Sequence, residues 1–104
     1  MPQFIYVIKP VRPDMLAAGP TEAEEAVVQD HFAYLSRLTD EGVVKMAGRT
    51  DTTGPESFGI VVLEAADEEA ARAIMAADPA VAKHVMEAEF LPFRIALFGS
   101  PPAE

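Results

Sequence analysis

Apolar residues recur with two different periods along this sequence, and the order of the two periods restricts the fold to a few topologies. Runs rich in β-branched and aromatic residues predict strands, whereas apolar residues three and four positions apart predict helices. The predicted strands are 3–9, 43–49, 58–64 and 90–98, the predicted helices are 21–41 and 67–78, and a short helical turn is expected within 80–89. This order predicts an α+β, ferredoxin-like βαββαβ fold, in which two helices cover one face of a four-stranded antiparallel sheet.

The first predicted helix has clear signals at both ends and a histidine on its apolar side. Thr21 and Glu24 have the spacing of a capping box, and Gly42 is suited to the left-handed conformation that closes many helices. The apolar face consists of Val27, His31, Tyr34, Leu35 and Leu38. His31 should therefore point toward the interior.

A carboxylate on one nitrogen of His31 would fix its tautomer and favour its charged form. Asp78 is the best candidate, because it lies where the second helix ends, beside the C-terminal half of the first. Asp30 and Asp40 lie off the apolar face and are expected to point to solvent. Asp78 has an alternative structural role, since aspartate before Pro79 commonly ends a helix.

Two arginines are candidates for holding an anionic substrate or a developing oxyanion. Arg12 lies in the connector before the first helix, and Arg49 ends the second strand. The alternative for Arg12 is an ordinary solvated surface residue. A metal site built from His31, Asp78, His84 and Glu87 has no compact ligand motif, so neither a metal nor another cofactor is expected.

Composition limits the possible partners. The chain has 104 residues, enough for one domain, predicted at 1–98 with a flexible tail at 99–104. Its net charge of −9 argues against nucleic acid and anionic membranes as partners. The absence of cysteine excludes disulfides and thiolate metal sites, and there is no pattern typical of a signal peptide. We expect a cytoplasmic protein that binds a small molecule.

Two predicted strands are apolar on both of their faces. Residues 4–8 and 60–63 are all apolar or aromatic, which is typical of strands covered on two sides. Two helices can cover only one face of the sheet. We therefore expect a second copy of the chain to cover the other, in a homodimer whose sheets face each other.

Several short motifs, taken in this order and spacing, resemble the YciI-like (YCII-related) family. They are HFAYL at 31–35, Leu38, Gly42, Ala47-Gly48, GIVVLE at 59–64, Glu69-Ala70, Asp78-Pro79 and Pro92-Phe93-Arg94. The resemblance implies a ferredoxin-like dimeric α/β barrel with a pocket near the dimer interface that holds a His-Asp pair, here His31 and Asp78. Phe93 is a third candidate for substrate binding, beside Arg12 and Arg49. The sequence departs from the family pattern at Ala80, where an aromatic residue commonly follows Asp-Pro.

Family members with a proposed chemistry act on small, often aromatic-derived compounds, and that chemistry includes dehydrochlorination. The leading hypothesis is therefore a cofactor-free lyase or isomerase in which His31 is the general base and Asp78 orients it. The alternative hypothesis is a non-catalytic dimeric ligand-binding or accessory protein, in which His31 and Asp78 brace the helices against each other.

Overall fold

The computed structural model describes residues 1–99. The secondary structure elements are β1 (Gln3–Pro10), α1 (Asp14–Ala17), α2 (Glu22–Asp40), β2 (Val44–Arg49), β3 (Gly59–Glu64), α3 (Glu68–Ala77), α4 (Pro79–Ala82) and β4 (Met86–Phe93). The four strands form one antiparallel sheet in the order β2-β3-β1-β4. The ferredoxin-like α+β fold is thus confirmed. Residues 100–104 of the predicted tail lie outside the described part of the chain.

Helix α2 begins and ends where its sequence signals predict. The Thr21 hydroxyl accepts a hydrogen bond from the Glu24 N–H, and the Glu24 carboxylate accepts one from the Thr21 N–H, which completes the capping box. At the other end Gly42 adopts a φ of +80°. The Gly42 and Val43 N–H groups return to the Thr39 and Leu38 carbonyls, so the last carbonyls of the helix are satisfied.

The hydrophobic core lies between the helices and one face of the sheet. Alternate residues of β1, namely Phe4, Tyr6 and Ile8, point toward the helices and are buried. The register places Leu63 and Val61 of β3 beside them on the same face. Leu35 and Leu38 supply the facing side of α2, as the helical period predicted.

The last strand differs from its prediction. β4 covers Met86–Phe93 instead of 90–98, and α4 ends at Ala82, so the expected helical segment is only one turn long. Met86 pairs with Pro10, and from there apolar Met86, Ala88 and Phe90 alternate with Glu87 and Glu89. This period of two was the correct signal, although alanine and glutamate are poor strand formers. β4 lies at a sheet edge, where Pro92 is tolerated because a proline has no N–H to donate to a second neighbouring strand.

The sheet face opposite the helices carries a row of apolar side chains. The register aligns Met46, Val62, Ile5 and Leu91 across the four strands. Met46 is 50% exposed and Leu91 is 44% exposed, whereas Val62 is buried within the single chain. No helix among residues 1–99 covers this face, since the core and its helices lie on the other side of the sheet.

Candidate active site

A cavity of about 570 Å³ lies between α2 and the β2–β3 end of the sheet. It exists because the helix-facing side chains of the sheet become small there: Ala47 pairs with Val61, and Gly59 has no side chain at all. A Cβ built at Gly59 would lie 3.1 Å from Ile8 Cγ1, so a larger residue there would require Ile8 to shift by a few tenths of an ångström, and glycine avoids this tight contact. Helix α2 therefore spans a gap at this end of the sheet and lies on the core at the other.

His31 lines this cavity, and its ring is hydrogen-bonded to Asp78. Its Nδ1 lies 2.7 Å from Asp78 Oδ1, and the side chains are 12% and 0% exposed, respectively. Asp78 does not line the cavity. Its backbone ends α3 and caps α4, with the extended conformation that Pro79 imposes on the preceding residue. The helix break thus fixes the carboxylate beside α2.

Three donors surround the Asp78 carboxylate. Oδ1 accepts hydrogen bonds from the His31 ring and, at 3.0 Å, from the Ala80 N–H. Oδ2 accepts one from the Tyr6 hydroxyl at 2.7 Å. Burial of the phenol, and secondarily the nearby Asp78 charge, raise the pKa of Tyr6 well above its ordinary value. Tyr6 therefore stays protonated and remains a donor to the carboxylate at any physiological pH.

The arrangement fixes which nitrogen of His31 can take up a proton. An ionised carboxylate can only accept hydrogen bonds, so Nδ1 carries the hydrogen and the neutral ring has its lone pair on Nε2. Nε2 has no hydrogen-bond partner among the described residues, and no side-chain nitrogen or oxygen buried in that part of the chain lacks one. Nε2 is therefore accessible, on a ring that lines the cavity.

Of the three predicted substrate-binding residues, the structure places one at the cavity. Arg49 lines it, and within residues 1–99 its guanidinium makes no hydrogen bond or ion pair. Arg49 pairs with Gly59, which pairs in turn with Ile8, so the arginine extends from the helix-facing side of the sheet.

Arg12 and Phe93 lie elsewhere. The Arg12 guanidinium donates to both Glu24 oxygens, at 2.9 and 2.6 Å, and to the Gly19 carbonyl, so it joins the connector to the start of α2. Phe93 ends the edge strand opposite Gln3 and is 42% exposed. Neither residue lines the cavity of this chain. Ala80 is fully buried and also lies outside the cavity lining, and its contribution is the backbone N–H bound to Asp78.

Sequence reasoning missed two groups near the site. Tyr6 belongs to a strand that the sequence predicts to be covered on both faces, but nothing in a strand pattern indicates a hydroxyl partner 72 positions away. Asp40 is exposed, as expected, and it also belongs to the lining of the cavity, which the sequence did not indicate. Ser36, Thr39, Thr50 and Ser57 are also in the lining. The hydroxyls of Thr39, Thr50 and Ser57 already have partners within the protein, namely the Leu35 carbonyl for the first and the Thr52 hydroxyl for the other two.

Within residues 1–99, no three carboxylates or imidazoles lie close enough together to hold a metal ion. In the same part of the chain, no helix combines the length and apolarity needed to cross a bilayer.

Fold and site together define a small ferredoxin-like α+β domain with a histidine-carboxylate pair at the wall of a partly enclosed cavity. The chain belongs to the YCII-related domain family, whose model matches residues 4–94. A comparison with curated proteins gave no match.

A solved structure with this fold is 5-chloro-2-hydroxyhydroquinone dehydrochlorinase from Burkholderia phenoliruptrix AC1100, in complex with 2,5-dihydroxybenzoquinone. The similarity has a TM-score of 0.61 and covers 88% of this chain and 93% of the other, with 16% sequence identity. At this identity the similarity establishes a common fold.

Proposed function

We propose that this protein is a lyase or isomerase that acts on a small, aromatic-derived compound, with His31 as its general base. The observation that carries the proposal is the position of His31, whose ring lines the cavity while Asp78 holds Nδ1 at 2.7 Å. A base needs an accessible lone pair and a partner that stabilises the cation formed. Nε2 supplies the first and Asp78 the second.

In the proposed reaction, Nε2 takes a proton from a ring hydroxyl or from a carbon beside a carbonyl. The electron pair left behind moves into the ring, and another ring carbon takes up a proton, which is an isomerisation. Where that carbon bears a leaving group such as chloride, removal of a second hydroxyl proton then expels it, so that HCl is lost overall in a lyase reaction. In both cases the imidazolium then gives up its proton. Every proton transfer uses His31 and solvent, so the proposal needs no cofactor.

Arg49 is the proposed partner for the negative charge that develops on the substrate oxygen. It has no carboxylate partner among residues 1–99, whereas the Arg12 guanidinium already binds Glu24. An uncommitted guanidinium in a partly enclosed cavity stabilises an oxyanion without first breaking an ion pair. The ring of the compound would then lie over the small residues Ala47 and Gly59.

The fold shared with a dehydrochlorinase supports the choice of test compounds. We would assay hydroxylated chlorohydroquinones by chloride release and hydroxylated quinones by their ultraviolet and visible spectra. His31→Gln should lower kcat/KM roughly 100-fold or more, the usual contribution of general base catalysis. The matched control is His84→Gln, because His84 is the second histidine of the chain and is exposed.

A second pair of variants separates Arg49 from Arg12. Arg49→Gln should raise KM or lower kcat for an acidic substrate, and Arg12→Gln should leave both unchanged. If His31→Gln keeps full turnover of a compound that the protein converts, the base mechanism is wrong. Tight binding without turnover would instead support a non-catalytic ligand-binding protein.

We also propose that the protein is a homodimer in which the apolar row of one sheet faces that of a second copy. Met46 and Leu91 expose roughly half of their surfaces on a face that no helix of residues 1–99 covers. Sedimentation velocity should show a dimer for the natural chain and a monomer for Leu91→Asp. Val11→Asp is the matched control, because Val11 is similarly exposed, at 47%, but lies in the connector. A natural chain that is monomeric at all concentrations would contradict the proposal.

A further inference from the structure

We infer that Tyr6 is a positioning residue of the His31 site, acting through Asp78 and never touching the substrate. The inference rests on the proposed function for its catalytic meaning and on the geometry for its physical content. Tyr6 donates a 2.7 Å hydrogen bond to Asp78 Oδ2 while Oδ1 of the same carboxylate binds His31 Nδ1. The three side chains form a continuous chain of contacts from the core to the cavity wall.

The position of Tyr6 makes it a rigid support. It lies in the middle of β1, with β3 and β4 on its two sides through Val61 and Phe90, and it is completely buried. The sheet therefore fixes the position of the Tyr6 hydroxyl. The hydrogen bond from this hydroxyl restricts the rotation of the Asp78 carboxylate at the α3–α4 junction. Without this bond, the Asp78 carboxylate would be held only by its local contact with the Ala80 N–H and by His31 itself.

The bond also sets how strongly Asp78 favours the charged form of His31. A donor on Oδ2 draws negative charge away from the carboxylate and weakens its attraction for an imidazolium. Removing that donor should leave a more basic carboxylate and raise the titration midpoint of the His31 ring, because the protonated pair gains stability. A stronger donor should lower the midpoint. The opposite signs of these two effects distinguish the proposed role from a general loss of packing.

The other charged and titratable groups near His31 must be the same in every variant whose His31 titration is compared. Arg49 faces the cavity from β2, and Asp40 and Tyr34 belong to α2 itself. The lining contributed by α1, β3 and β4 carries no charged side chain, since it comes from Leu16, Gly59, Ile60, Val61 and Met86. The α3–α4 junction places the Asp78 carboxylate against the His31 ring, outside the cavity lining. Substitutions at Tyr6 leave all of these groups in place.

Tyr34 provides a matched control. Its hydroxyl also donates a 2.7 Å hydrogen bond, but to the Ile74 carbonyl of α3 and not to Asp78. Tyr6→Phe and Tyr34→Phe thus each remove one phenolic hydroxyl that links two elements, and only the first changes the donors on Asp78. These are the two tyrosines of the chain, so a Tyr34→Phe protein contains Tyr6 alone.

The test follows the His31 ring by NMR, with His84 as an internal reference for an exposed histidine. Tyr6→Phe should raise the His31 midpoint by about 0.5 to 1 pH unit, and Tyr34→Phe should leave it unchanged within about 0.2 unit. Replacing Tyr6 by 3-fluorotyrosine in the Tyr34→Phe background should lower the midpoint, because the fluorinated phenol is the more acidic donor. This second variant keeps the shape of the side chain and serves if Tyr6→Phe does not fold.

Two results would overturn the inference: no shift on fluorination, or equal shifts in the two phenylalanine variants. The measurement needs no substrate, so it is independent of the base mechanism. If His31→Gln kept full turnover while both Tyr6 shifts had the expected sign, the proposed function would fail and the role of Tyr6 in positioning Asp78 would stand. With a substrate in hand, the acid limb of the pH profile should move in parallel with the NMR midpoint.

Discussion

Asp78 accepts a hydrogen bond from His31 at 2.7 Å, although the two residues are 47 positions apart and belong to different helical segments. The contact joins the middle of α2 to the junction of α3 and α4. Because Asp78 is fully buried and His31 lines the cavity, the pair has one end in the core and one end at the site. The carboxylate is held by the fold, and the ring is held by the carboxylate.

The exchange of Asp78 for asparagine should separate the charge of this contact from its shape. Asparagine has nearly the same volume, and its one carbonyl oxygen can replace Oδ1 as the acceptor for the Ala80 N–H. Its NH2 group then takes the place of Oδ2 and faces the Tyr6 hydroxyl as a donor, and the neutral amide cannot stabilise an imidazolium. We expect the His31 titration midpoint to fall by about one pH unit and kcat to fall roughly 100-fold. The matched control is Asp67→Asn, because Asp67 caps α3 through the Ala70 N–H and asparagine caps equally well. An unchanged midpoint in Asp78→Asn would show that the pair is not electrostatically coupled.

Gly59 should control the size of the ligand that the cavity accepts. A side chain there would lie 3.1 Å from Ile8 Cγ1 and 3.3 Å from the Gly48 carbonyl, on the helix-facing side of the sheet. We expect Gly59→Val to destabilise the protein by about 1–3 kcal/mol and to weaken ligand binding about tenfold or more. Chemical denaturation and ligand titration measure the two effects.

The control for this variant is Gly48→Ala on the neighbouring strand. A Cβ at Gly48 would meet no atom within 4 Å, so the unfolding free energy should change little. If Gly59→Val bound ligand as well as the natural chain, the ligand would not lie over this part of the sheet.

The ion pair between Arg12 and Glu24 should make part of the stability depend on pH. The hydrogen bonds from Arg12, and then from the Thr21 N–H, lower the pKa of Glu24 to about 2, whereas an unfolded glutamate titrates near 4.3. A lowered pKa means that the stabilisation is present above pH 4–5 and is lost as the pH falls toward 2. Glu24→Gln keeps the capping box acceptor and removes the charge.

The difference in unfolding free energy between the natural chain and Glu24→Gln should therefore be measurable at pH 7 and disappear near pH 2. Urea denaturation at several pH values tests this, with Arg12→Gln as the partner variant that should give the same pattern. A difference that persists at the lowest pH would mean that the glutamine acts through something other than the ion pair.

The capping hydroxyl of Thr21 should contribute to the stability of α2. It accepts the Glu24 N–H at the first turn, one of the N–H groups that no helical carbonyl can reach. Thr21→Ala should lower the unfolding free energy by about 1 kcal/mol, and Thr21→Ser by much less, because serine retains the acceptor. Thermal unfolding of the two variants provides the comparison, and equal losses would assign the effect to the threonine methyl group.

Local sequence determined most of the elements of this protein. The capping box at Thr21 and Glu24, the glycine at position 42 and the Asp-Pro pair at 78 and 79 each act within a few residues, so their positions could be predicted without a fold. The helical period of α2 likewise identified its core face, whereas β1 is apolar on both faces and only the structure shows which of them meets the helices. These signals are local because capping, proline sterics and side-chain periodicity depend only on neighbouring residues.

Only the tertiary structure decided how these elements meet. It started β4 at Met86, because pairing with Pro10 outweighs the weak strand preference of alanine and glutamate. Folding brings Arg12 within reach of the Glu24 carboxylate, and the two form an ion pair. It places Arg49 at the cavity, where the arginine has no ion-pair partner among residues 1–99. It also brought Tyr6 to Asp78. Long-range contacts of this kind arise from the packing of sheet against helices, and no periodicity along the chain encodes which hydroxyl will meet which carboxylate.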